Sequence, residues 1–301
     1  MNRDTAGFIV PQIFGAAIVA LTKLLLNPHG SSSGTLIFSE FVIVPLLMGI
    51  ISARYWRNLD MRAGRSGLRA LLNTAIACII SAAFLGEGVI CLLIVSPLLF
   101  IFIWMGQIIG GAMFKKNNNT LNTSIVVLLL AVFVSDSLSE HHYENLVADT
   151  IVIKAPPAKV WQYVVAYERI EEKPKFWLFK IGMPSPVQST ADGYYVGAKR
   201  KCIFSNGYVF DEVISKYDEN HDLIFDITHQ PRDPEIMGHI DILRGQFLLK
   251  DNGDGTTTLT GNSWYKLYVF PTWYYDMWAS SIVRNVHVRV MDRVKQLSEA
   301  K

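Results

Sequence analysis

Residues 271–297, PTWYYDMWASSIVRNVHVRVMDRVKQL, decide the fold. At about 100° per residue, Tyr275, Trp278, Ala279, Ile282, Val283, Val286, Val290, Val294 and Leu297 fall within an arc of roughly 160°. Pro271 and Asp276 suit the start of a helix, and Arg289, Arg293 and Lys295 suit the negative end of its dipole. Arg293 falls inside the apolar arc, where it pairs with a buried acid or snorkels at the helix end. A long helix with so wide an apolar face needs a broad partner surface. The strands that precede it can supply one.

Working backward from that helix, residues 256–269 read as the last and longest strand, reached through a turn at 251–255 from a strand at 240–249. A Pro-containing loop at 230–238 separates these from 223–228. Ser205-Asn206-Gly207 is a hairpin turn between 198–204 and 208–215, because Asn-Gly tolerates positive φ at both central positions. Further back, 150–154 alternates as a strand and Ala155-Pro156-Pro157 breaks it. Residues 158–165 make a short helix with Val160, Trp161 and Val164 on one side, and 176–179 make a second, closed by Pro184 and Pro186. The polar segment 139–149 reads as a linker. Consecutive antiparallel strands with an early helix pair and a long final helix give an α+β domain over 144–301.

Strand alternation puts Leu223, Phe225 and Ile227 on one face. Leu243, Gly245, Phe247 and Leu249 share another, as do Leu259, Gly261, Ser263, Tyr265 and Leu267. Large residues mixed with Gly and Ser leave space on such a face, or else fill it as core. Glu212 is in register with Phe210 and Ile214. Facing inward, its carboxylate would sit in an apolar pocket with a raised pKa, fit to hold a polar headgroup or act as general acid or base; facing outward, it is a rim residue.

IVIKAPPAKVWQYV (151–164), VGAKRKCIFSNGYVFDEVISKYDENHDLIFDI (196–227) and DGTTTLTGNSWYKL (254–267), followed by the long helix, resemble the SRPBCC superfamily over about residues 146–299. That group includes START lipid-transfer domains, birch-pollen-allergen-like proteins and the polyketide cyclase/dehydrase and lipid-transport family. The resemblance implies a helix-grip fold, in which a bent antiparallel sheet wraps the last helix around an apolar cavity. Residues 1–143 lie outside it.

Composition separates the halves. Half of the chain is apolar and 18% charged, below the usual quarter. Residues 1–143 carry nine Lys/Arg and six Asp/Glu, against nineteen and twenty in 144–301. Apolar runs at 8–26, 36–52, 70–84, 89–114 and 123–138 are candidate membrane spans. Arg54, Arg57, Arg62, Arg65 and Arg69 mark one connector as cytoplasmic, as do Lys115 and Lys116, while the connectors at 29–35 and 86–88 have no Lys or Arg. Five spans satisfy every connector and place 144–301 outside; four spans, with 123–138 lying on the surface, leave that domain in the cytoplasm. Lys23, Glu40 and Glu87 fall near the outer boundary, as a polar cluster or as snorkelling groups. Gly106 and Gly110 allow close helix approach, within one bundle or between two copies as a homo-oligomer.

A near-neutral second half argues against nucleic acid as a partner. Cys78, Cys91 and Cys202 show no disulfide framework, and His221, His229 and His239 have no metal-ligand spacing. No phosphate loop and no Ser or Cys nucleophile motif stands out, and no cofactor or metal is expected. The sequence therefore points to a multi-pass membrane bundle (1–143) carrying a domain that binds a lipid or other hydrophobic small molecule at the bilayer surface. Phe210, Glu212, Phe225, Phe247, Tyr265, Leu267, Trp278 and Ile282 are the expected ligand-lining residues, with Glu212 and Tyr265 setting orientation. A cyclase/dehydrase- or hydrolase-like enzyme using Glu212 is the alternative, and a membrane scaffold without ligand is another.

Overall fold

In the first half the chain forms helices α1 (Arg3–Leu26), α2 (Val44–Trp56), α3 (Ala63–Ile80) and α4 (Val89–Met113). Short π-helical turns lead into α2 at Ser39–Ile43 and out of α3 at Ser81–Leu85. The computed structural model describes residues 2–26, 39–59, 63–85, 88–114, 127, 131–132, 143–231, 240–269 and 271–300. These fall into two compact units, one mainly from residues 1–141 and the other mainly from 142 onward.

The first unit has its polarity reversed relative to a water-soluble bundle. Gln12, Ser52, Asn73, Thr74 and Gln107 are buried, while Ile13, Ile79 and Phe84 are 64%, 67% and 82% exposed. Asn73 of α3 links three helices: its backbone carbonyl accepts from Gln12 Nε2 at 2.9 Å and its Nδ2 donates to Ser52 Oγ at 3.0 Å. Ser66 Oγ donates to Gln107 Oε1 at 3.1 Å, joining α3 to α4. Such bonds hold helices together where apolar burial cannot, since lipid tails are as apolar as leucine. The start of α1 meets the end of α2 and the Arg-rich part of α3. There Asp4 pairs with Arg69 at 2.8 Å, and Trp56 Nε1 donates to the Asp4 carbonyl at 3.0 Å.

α2 is buried along most of its length and packs against α1 and α4. A Cβ on Gly106 would collide with the Leu46 carbonyl and lie 3.0 Å from Gly49 Cα, and one on Gly110 would lie 2.7 Å from Ala53 Cβ. These glycines therefore bring α4 against α2 of the same chain.

Among the described residues, three helices are long and apolar enough to cross a membrane (Arg3–Leu21, Arg65–Phe84 and Val89–Met113), and Phe41–Trp56 is apolar but shorter. A count of five spans is not supported. Residues 123–138 lie outside the described residues except for 127, 131 and 132. Glu87 and the side chains of Lys23 and Glu40 lie outside them too, and with them the expected polar cluster.

The second unit contains β1 (Tyr143–Ile153), α5 (Pro157–Val164), α6 (Trp177–Lys180), β2 (Pro186–Ala191), β3 (Lys199–Phe204), β4 (Val209–Asp218), β5 (Asp222–His229), β6 (Ile240–Asp251), β7 (Thr257–Leu267) and α7 (Thr272–Glu299). All seven strands pair antiparallel in one sheet, in the order β1-β7-β6-β5-β4-β3-β2. β-bulges in β4 and β6 bend it, and α7 lies across the face it curls toward. This is a helix-grip arrangement.

Two strands differ from the sequence expectation. β1 starts at Tyr143 and pairs with β7 from Tyr143↔Leu267 to Ile153↔Thr257, so most of the expected linker is strand. Its inward positions include Asn145 and Asp149, whose polarity hides the alternation. Pro186, read as closing the second short helix, also opens β2, an edge strand that the sequence reading does not assign, at a position where the missing N–H costs no ladder bond. At the β3–β4 turn Gly207 takes φ +86° while Asn206 does not adopt positive φ, so the hairpin forms where expected but with only its glycine left-handed, Gly207 N–H donating to the Phe204 carbonyl at 2.9 Å.

The buried face of α7 comprises Tyr275, Ala279, Val283, His287, Val290, Met291, Val294 and Ser298. It is rotated by about 60° from the expected apolar arc, at about 100° per residue. Trp278 and Ile282 thereby move to a flank, and His287 and Met291 turn inward. Toward the C-terminal end of α7 the interface is tightly packed, with Phe225, Phe247, Leu249, Leu259, Met291 and Val294 in one cluster.

Candidate functional site

Between the inward face of the sheet and α7 lies a polar layer. Asp149 (β1) and Ser263 (β7) are diagonal neighbours, Asp149 pairing with Gly261 and Ser263 with Val147, and His287 (α7) reaches both. Ser263 Oγ is 2.7 Å from His287 Nε2, and His287 Nδ1 is 2.9 Å from Asp149 Oδ2. Arg284, one turn earlier on α7, holds the other carboxylate oxygen of Asp149 at 2.8 Å. His287 is 5% exposed. Burial lowers its pKa, with Asp149 pulling it back up and Arg284 pushing it further down. An imidazole held neutral beside a carboxylate keeps its proton on Nδ1, leaving Nε2 to accept from the Ser263 hydroxyl.

Nearer the N-terminal end of α7, Tyr265 donates its hydroxyl to Asp276 Oδ1 at 2.6 Å. Asn145 Nδ2 donates to the same carboxylate oxygen at 2.9 Å. Burial and then the Asp276 carboxylate raise the Tyr265 pKa well above the phenol range. The Tyr265 ring is wholly buried and its hydroxyl anchors the start of α7, so it is not a free ligand donor.

At the opposite edge of the sheet, Arg200 and Glu212 pair across β3 and β4, 3% and 4% exposed. Arg200 Nε also donates to the Val165 carbonyl at 2.8 Å, and its guanidinium lies 4.4 Å from the centre of the Phe225 ring. Burial pushes the Glu212 carboxyl up, and Arg200 pulls it back down. Burial likewise raises Tyr167, and raises Cys202 to about 12; the two sit 3.9 Å apart beside the pair. Glu212 thus faces inward but is occupied by Arg200, which leaves no unpaired carboxylate for acid–base work there.

The other expected lining residues divide. Phe225 and Phe247 are 8% and 6% exposed and belong to the packed cluster. Leu267 is buried. Space anticipated beside the glycines is filled, because the Phe225 ring occupies the place of a Gly245 side chain, and a Cβ on Gly261 would meet Met291 Sδ at 3.2 Å. Trp278 meets Trp177 of α6 edge-on at 6.4 Å. Phe210 and Ile227 remain only half-buried on the inward face, next to Phe204, whose ring is 4.7 Å from that of Phe210. The inward face is therefore sealed at one end and partly open at the other.

A cleft of about 80 Å³ lies on the far side of α7, lined among others by Ile170, Phe176, Phe179, Val288, Arg289 and Arg293. It is well below the ~300 Å³ at which small-molecule pockets begin. Among the described residues, no cluster of His, Cys, Asp and Glu suits a metal ion.

Sequence reasoning missed Asp149, Ser263, His287 and Arg200. They lie far apart in the chain, and no short motif unites them. His287 falls about 20° beyond the expected apolar arc at about 100° per residue, the one trace of its inward position.

No family model matches the chain, and no curated protein does. Among solved structures, a protein from Nitrosospira multiformis is 18% identical, covering 50% of this chain and 94% of its own, with a TM-score of 0.34. Norcoclaurine synthase from Thalictrum flavum, a point mutant in complex with a transition-state analogue, is 10% identical, with coverages of 53% and 97% and a TM-score of 0.36. A protein from Mesorhizobium loti is 17% identical, with coverages of 51% and 96% and a TM-score of 0.34. At these values the likeness bears on neither ligand nor reaction.

Proposed function

We propose that the helix-grip unit binds one lipid or other hydrophobic small molecule, and that the helical unit holds it at a membrane. The observation that carries the reading is the half-buried apolar surface of Phe204 and Phe210 on the inward face of the sheet, next to Ile227, which packs against the edge of the core cluster. Exposed aromatic surface in a concave setting is what an apolar ligand covers. The membrane part draws on the outward apolar and inward polar side chains of α1, α3 and α4. Tethering confines binding to ligands already in or on the bilayer, sparing them a passage through water.

Positive residues between α2 and α3 favour a cytoplasmic location for that end of the bundle, which the start of α1 shares through Asp4 and Arg69. The side occupied by the second unit then follows from the number of crossings after α4, and a reporter fused at Lys301 determines it.

Native mass spectrometry of the full chain, purified in detergent and stripped of it in the instrument, tests the binding proposal. A discrete lipid or apolar adduct, lost in Phe210→Asp, supports it. A bare chain after purification from its native membranes, with Phe210→Asp indistinguishable from wild type, overturns it.

A further inference from the structure

We propose that Ser263, His287 and Asp149 form an acyl-transfer site, with Ser263 as nucleophile, His287 as general base and Asp149 as a positioning residue, acting on an ester or thioester of an apolar acyl group. The three come from β7, α7 and β1, yet meet as hydroxyl, imidazole and carboxylate at 2.7 and 2.9 Å. Both contacts use the ring atoms a nucleophile–base–orienter relay needs: Nε2 toward the hydroxyl, Nδ1 toward the carboxylate. Arg284 pairs with the other oxygen of Asp149 at 2.8 Å and holds the carboxylate in place. Ser263 retains partial exposure, while Gly261 and Tyr265 on either side of it along the inward face are buried.

In the reaction, Ser263 Oγ bonds to the carbonyl carbon as its proton passes to His287 Nε2. The bond from that carbon to the alcohol or thiol breaks, and the leaving atom takes the proton from Nε2. Water then adds to the acyl-serine with the same base, releasing a carboxylic acid and restoring the hydroxyl. The apolar acyl class rests on the ligand reading above; the relay itself does not.

The full chain in detergent is treated with an alkyl fluorophosphonate, and the modified residue is mapped by mass spectrometry. The expected result is an adduct on Ser263, absent in Ser263→Ala, with labelling slowed about a hundredfold in His287→Ala. Labelling should rise with pH through the titration of His287, and Asp149→Asn should slow it and displace that inflection. Mapping the wild-type adduct requires no variant to fold. A chain with an intact thermal transition but no adduct on Ser263 overturns the proposal, as does an adduct formed equally fast in Asp149→Asn with an unshifted pH profile. Ser263 labelling in a chain that carries no apolar adduct in native mass spectrometry upholds the relay and removes the ligand reading. A bound lipid without labelling does the reverse.

Discussion

Arg200 and Glu212 form an ion pair enclosed on all sides, the guanidinium lying 4.4 Å from the centre of the Phe225 ring and also bonded to the Val165 carbonyl. Removing one partner strands a charge away from water, whereas removing both leaves a gap that apolar side chains can fill. Arg200→Met alone should cost about 3–5 kcal/mol. Arg200→Met with Glu212→Leu should recover most of that loss. Urea titration of the chain in detergent, followed by tryptophan fluorescence, reads both. Equal destabilisation by the single and double variants would show that the pair contributes favourably in its own right.

His287 gives the second unit a pH-dependent stability. Its pKa in the folded state lies below the unfolded value of about 6.5, chiefly because it is buried. As pH falls through that value the unfolded chain takes up a proton that the folded chain resists. The stabilisation is complete above about pH 6.5 and declines as pH drops toward the folded value. The melting temperature should therefore fall between pH 7.5 and 5.5, and His287→Gln should flatten that slope. An unchanged slope in His287→Gln would assign the acid sensitivity to another group.

The hairpin turn, most strand positions and the long final helix were legible in the sequence because each has a local cause: Asn206-Gly207 for the turn, period-two alternation for Leu223–Ile227, and a wide apolar arc for α7. What stayed hidden depends on distant partners. Asn145 and Asp149 read as linker residues because they are polar, and only α7, more than a hundred residues later, makes their inward position tolerable. The rotation of α7 was also concealed. Val, Ile and Trp on its flank look as buried as its true face until Asp149 and Ser263 give His287 a reason to turn inward. In the helical unit, Asn73 gave no signal at all, since a lone amide within an apolar run declares neither its orientation nor its partners.

Gly106 sits where α4 crosses α2, and a side chain there meets the Leu46 carbonyl and Gly49 Cα, neither of which can swing aside. Gly106→Leu should destabilise the bundle by at least the ~1–3 kcal/mol usual for overpacking. Because the contact lies within one chain, the loss should be independent of protein concentration. Size-exclusion chromatography in detergent at several concentrations, with a thermal melt, checks this. A dissociation that appears only on dilution would instead place Gly106 between two copies.

Phe210 and Phe247 share the inward face of the sheet but belong to its two different ends. Phe247 is 6% exposed within the packed cluster, next to Phe225 and the Gly261–Met291 contact. Phe247→Ala should leave a cavity and cost about 3–5 kcal/mol. Phe210 is half-buried and has Phe204 as its ring neighbour at 4.7 Å. Since it already retains exposure, Phe210→Ala should cost clearly less, with the main loss in ligand retention. Thermal melts and native mass spectrometry on the same preparations separate the two effects. If Phe210→Ala proves as destabilising as Phe247→Ala while ligand retention is unchanged, Phe210 is core and the open end of the grip is closed.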